Sequence, residues 1–130
     1  MQQSFKKIIT LFILLFIARE STLAQDRKNS TSVLRHVVTV VFKPEASEMQ
    51  IAAVDSSFKK LAKMKMVKDF EWGIGINNPN NIAIKHIYVT TFANKEDEAT
   101  YGSSPQHQAH IKLGADYIEA VNAMDYFANK

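Results

Sequence analysis

The chain has 130 residues, with 16 Lys and Arg against 13 Asp and Glu, and no cysteine. That length is one domain's worth, and the missing cysteines exclude a disulfide scaffold, a thiolate metal centre and a thiol nucleophile. Lys6, Lys7, Arg19 and Glu20 fall in the first 25 residues, so the rest carries 13 basic and 12 acidic residues, a balance that calls for no nucleic-acid partner.

The amino-terminal stretch has the layout of a secretory signal peptide. "MQQSFKK" supplies the basic start, Ile8 to Ala18 are apolar, and "STLAQ" ends in small residues. The apolar run is 11 residues long, against roughly 20 for a membrane span. Residues 1–25 are therefore expected to direct export to the periplasm or the medium, with cleavage after Ala24 and no stable membrane association afterwards. The alternative is a short anchor that stays uncleaved. Asp26 to Ser32 are polar and read as a flexible leader, which leaves 33–130 as the folded domain.

"LRHVVTVVFK" opens that domain as a strand, β-branched and apolar on both faces. Pro44 ends it. Ser47 and Gln50 form a capping-box pair, and Ile51, Val54, Phe58 and Leu61 then give one apolar helix face, with Lys59, Lys60 and Lys63 mostly off it. "DFEWGIGI" (Asp69 to Ile76) reads as a second strand that Gly73 and Gly75 weaken or bulge, "NNPNN" as a turn, and "IAIKHIYVTTF" (Ile82 to Phe92) as a third strand in an antiparallel hairpin. Asn94 is a plausible cap for a short helix. Ser104 and Pro105 start another, expected to run to about Ala120, before "AMDYF" (Ala123 to Phe127) closes the chain as a short strand.

The order β-α-β-β-α-β predicts an α+β, ferredoxin-like sandwich. Helices then cover one sheet face only, while the strands are apolar on both. The uncovered face is expected to meet a second copy, which gives a homodimer through the sheet. The alternative is one amphipathic face with stray valines.

Five segments in this order, "LRHVVTVVFKP", "FEWG", "KHIYVTTF", "YGSSPQHQAH" and "MDYF", resemble the stress-responsive α/β-barrel (Dabb) domain family. The resemblance implies a ferredoxin-like domain whose sheet pairs with that of a second subunit into a dimeric α+β barrel. A plant member of the family closes a linear polyketide by aldol condensation. Tyr101 and His107 match its catalytic tyrosine and histidine, and His36, His86 and Asp125 match other polar residues in or near its pocket.

The residues themselves leave two readings of the histidines. A helix turns about 100° per residue, which places Ile111, Gly114, Ile118 and Val121 on His107's side and Lys112, Asp116 and Glu119 opposite. His107 thus faces the sheet, where His36 and His86 share faces with Phe42 and Phe92. One reading is a pocket bounded by His36, His86, Tyr88, Phe92 and Asp125, which takes a small apolar or aromatic molecule. In its enzymatic form, a cofactor-free cyclase or lyase, His107 is a neutral base near a helix N-terminus, Tyr101 donates to an oxyanion, and Asp125 orients a histidine. The other reading is structural: buried histidines bond one another, Asp125 or the backbone, and fix the core.

His110 is expected on the flank of the helix with no role. His107 and His110 alone do not complete a zinc site, so neither metal nor cofactor is expected. There is no His-Glu-x-x-His, glycine-rich phosphate loop or nucleophile elbow.

Overall fold

The computed structural model describes residues 32–129. The expected signal peptide and nearly all of the leader lie outside them. The elements are β1 (Val33–Phe42), α1 (Glu48–Leu61), β2 (Val67–Ile74), β3 (Lys85–Phe92), α2 (Lys95–Ser103), α3 (Pro105–Gly114) and β4 (Ile118–Ala128). The strands form one antiparallel sheet in the order β2-β3-β1-β4. This is the ferredoxin-like arrangement, with its second helical stretch broken in two.

Local chemistry sets most of the boundaries. Ser47 and Gln50 form the reciprocal capping box of α1. Asn94 accepts from the Asp97 N–H to start α2. Ser104 then serves both neighbouring helices. Its Oγ donates to the Tyr101 carbonyl at 2.7 Å and accepts from the His107 N–H at 3.2 Å, while Pro105 takes the first helical position.

The carboxyl-terminal boundary differs from the expectation. α3 stops at Gly114, and β4 begins at Ile118 rather than Ala123. The reason is the free edge of β1. One side of β1 pairs with β3, and its other side pairs with β4 along its whole length, from Val33 opposite Ala128 to Phe42 opposite Ile118. A strand begun at Ala123 would leave the backbone groups of Val40 to Phe42 without that ladder. Gly114 packs closely under Ile118, and a Cβ there would push the end of that side chain aside.

The hairpin differs in smaller ways. β2 spans Val67–Ile74 and its pairing shifts between Val67 and Asp69, not at the glycines. The turn closes where Asn78 and Asn81 exchange backbone hydrogen bonds at 3.2 and 2.9 Å.

Two apolar clusters lie between sheet and helices. One joins Val38, Val40, Phe42 and Tyr88 to Val54 and Phe58 of α1; the other joins Leu34, Phe92, Leu61 and Tyr101. The opposite sheet face carries a row running Val89–Val37–Met124 across β3, β1 and β4. Met124 is 61% exposed and Ile87 of the same face 40%. Among the described residues no helix is long and apolar enough to cross a membrane.

Candidate functional site

β1 and β4 supply the floor of a cavity and the helices its wall. The register sets His36 directly opposite Asp125, and His36 Nδ1 lies 2.6 Å from Asp125 Oδ1. Two and four residues further on, Val38 and Val40 point to the same side, opposite Ala123 and Val121 of β4. α3 brings His107 down in its first turn, held at its backbone by the Ser104 cap, and His110 one turn later. The cavity between them has a volume of about 330 Å³ and is lined by His36, His107 and His110 among apolar groups that include Phe58, Ile111 and Ile118.

The imidazoles are held in different ways. His110 Nδ1 lies 2.9 Å from Ser57 Oγ on α1, and its ring meets Phe58 edge-on at 4.2 Å between centroids. Burial holds the His110 pKa down at about 4, and the neighbouring His107 adds to this. Burial also lowers that of His107; the nearby His36 adds to the effect, while the Gly102 carbonyl and Glu98 oppose it. His107 Nδ1 is buried and makes no hydrogen bond of good geometry. At neutral pH both rings are uncharged, which suits an apolar cavity and leaves His107 able to accept a proton.

Tyr101 sits behind this wall. It is 2% exposed and does not line the cavity. Its ring lies 4.9 Å from that of His107 and 6.3 Å from that of His36. Burial pushes its hydroxyl up to about 12, against the opposing effect of a hydrogen bond with Thr90. A tyrosine placed this way positions the two imidazoles, whereas an oxyanion donor has to present its hydroxyl at the cavity surface.

The remaining sequence candidates separate. His86 and Tyr88 belong to a buried group with Asp55 of α1: His86 Nδ1 is 2.7 Å from Asp55 Oδ1, and the Tyr88 hydroxyl donates to the same oxygen at 2.5 Å. Burial, then the bond to Asp55 and its charge, push the Tyr88 hydroxyl well above its ordinary range. Phe58 stacks on Tyr88 at 3.6 Å and so stands between this group and the cavity. Phe92 is fully buried in the second cluster. Asp125 reaches the cavity only through His36 and itself lines a second depression, of about 280 Å³, with Lys95 and Glu98.

Of the imidazoles expected at the pocket, His36 and His107 line the cavity and His86 does not, while His110, expected to have no role, does. The i, i+3 spacing of His107 and His110 is visible in the sequence. The Ser57 hydroxyl that fixes His110 is 53 residues away and gives no local signal. Asp55 was missed for the same reason, its partner being 31 residues distant. Among the described residues, the donor atoms that cluster closely enough to hold a metal belong to His36, Glu98 and Asp125.

The fold and the chain agree with known proteins. No curated protein matches the chain. A hydroxynitrile lyase from Passiflora edulis is similar in structure, with TM-score 0.68 and 21% identity, over 77% of this chain and 96% of that one. A protein of Arabidopsis thaliana has TM-score 0.66 and 25% identity over 75% and 96%. A dimeric protein of unknown function and ferredoxin-like fold from Bacteroides fragilis has TM-score 0.57 and 25% identity over 74% and 96%. The model of the Stress responsive A/B Barrel Domain matches residues 34–128. With nearly every described residue inside that match, the chain belongs to the stress responsive A/B barrel domain (Dabb) family.

Proposed function

We propose that this protein is an exported, homodimeric A/B barrel domain that holds a small, largely apolar or aromatic molecule between its sheet and helices. The observation that carries the reading is the cavity of about 330 Å³, apolar except for three imidazole edges. Two of those imidazoles stay neutral at pH 7, so a ligand meets hydrogen-bonding groups without meeting charge. The homodimer is supported by the uncovered sheet face and by the dimeric Bacteroides fragilis protein. Export is supported by the basic start and short apolar run of residues 1–25.

The test is calorimetric titration with 2-naphthol, a neutral aromatic small enough for this space. Saturable binding by the wild type is expected, with a loss of about tenfold or more in Ala123→Trp, which fills the cavity from its exposed floor. Equal binding by the two proteins would show that the ligand sits elsewhere.

A second reading is catalytic, and the neutral His107 on the cavity wall favours it. In this reading, without a cofactor, His107 takes the hydroxyl proton of a cyanohydrin as the C–CN bond breaks, giving a carbonyl compound and cyanide, which leaves with that proton as hydrogen cyanide; in the cyclase form it takes a proton from a carbon beside a carbonyl, and that carbon adds to a second carbonyl of the same molecule, whose oxygen takes up the proton. Tyr101, predicted as the oxyanion donor, supports the ring from behind. The similar fold of the hydroxynitrile lyase suggests mandelonitrile as the substrate to try. A base is worth about a hundredfold or more in rate, so His107→Ala is expected to lose that much. Equal rates in the two proteins end this reading.

A further inference from the structure

We propose that His36, Glu98 and Asp125 form a binding site for one divalent transition-metal ion, beside the apolar cavity and joined to it through His36. The three donors come from three elements, β1, α2 and β4, and their ligand atoms all lie within 4.8 Å of one another. Ions such as Zn²⁺ hold nitrogen and oxygen ligands at about 2.0–2.2 Å, which sets neighbouring donors some 3–4 Å apart. The triad is already close to that spacing. The β1–β4 register sets two of its members opposite each other, and the hydrogen bond that now joins His36 Nδ1 to Asp125 Oδ1 at 2.6 Å has to open to the donor spacing as an ion enters.

Electrostatics supplies a second, independent argument. Glu98 is only partly exposed, and its carboxylate is brought up to that of Asp125. Among the described residues no lysine or arginine lies within ion-pair distance of either carboxylate. The lysine that lines the same depression, Lys95, has its ammonium 6.0 Å from the Phe127 ring centre. Two carboxylates and one imidazole this close offer a cation two negative charges, and among the described residues neither carboxylate is already paired with a lysine or arginine.

The donor set selects the kind of ion. One imidazole nitrogen and two carboxylate oxygens suit Zn²⁺, Mn²⁺, Fe²⁺ or Co²⁺, whereas Ca²⁺ and Mg²⁺ prefer oxygen alone and Cu⁺ prefers sulfur. Three protein ligands leave positions open, and the adjoining depression of about 280 Å³ gives water or a small anion access to them. His36 is shared. Its Nδ1 faces the Asp125 carboxylate and its ring lines the apolar cavity, so a bound ion would lock the orientation of one cavity wall.

Co²⁺ added alone tests the site, and no organic ligand is needed. The expected result is saturable binding of one ion per chain with visible absorption bands. Glu98→Gln and Asp125→Asn should each weaken it about tenfold or more, and Glu96→Gln, an exposed change on the same helix, should leave it unchanged. Mn²⁺ should broaden the His36 ring resonances ahead of those of His86. Circular dichroism checks that the variants are folded; should one not fold, the Mn²⁺ broadening in the wild type decides. No saturable binding, a smaller loss in Glu98→Gln, or broadening that spares His36 overturns the proposal.

Discussion

Each histidine of the described domain has found a partner or a wall, and that determines its chemistry. His86 and Tyr88 share one oxygen of Asp55 under the Phe58 ring, a group built to satisfy a buried carboxylate. His107 and His110 lose solvent without gaining a carboxylate of their own, and their pKa values fall. The direction has a consequence for stability. The unfolded chain takes up a proton on His110 near pH 6.5, the folded chain only near pH 4. Stability is thus fully present above pH 6.5 and is lost as the pH falls towards 4. In urea unfolding, His110→Gln is expected to lose less stability than the wild type between pH 7 and pH 4.5, by up to about 2 kcal/mol. Identical losses would mean that His110 is not desolvated.

The elements show which sequence signals are local and which are not. Ser47 with Gln50, Asn94, and Ser104 with Pro105 could be read directly, because a cap acts within three residues of itself. The end of α3 could not. Ile111, Ile118 and Val121 fit a helical wheel around His107, yet only Ile111 is on the helix; the other two reach the same cavity from β4. What decides between the two is the unpaired edge of β1, some 80 residues earlier in the chain. The cap joining α2 to α3 is the element on which His107 depends. Ser104→Ala removes one bond to each helix and is expected to cost about 1–2 kcal/mol. In a domain of this size that lowers the melting temperature by roughly 4–8 °C or more. An unchanged melting temperature would show that Pro105 and packing suffice to start α3.

At the scale of the whole molecule, the fold was readable because strand composition, caps and turn residues all point to one arrangement, an α+β sandwich with helices on one side. The row Val89–Val37–Met124 on the bare face is the feature that asks for a second copy. The site was readable only in part. Helix periodicity turns His107 inward; strand alternation puts His36 on one face with Phe42, but a strand apolar on both faces does not say which face meets the helices. Which imidazoles meet depends on side-chain packing, and there Phe58 divides the interior: His86 and Tyr88 fall on one side, His107 and His110 on the other. The proposed ligand site is the open cavity bounded by His36, His107 and His110. The most direct measurement is nuclear magnetic resonance of the histidine side-chain nitrogens at pH 7 during titration with 2-naphthol. The rings of His36, His107 and His110 should shift together to saturation while His86, behind Phe58, stays in place. Shifts at His86 with none at the other three would contradict it.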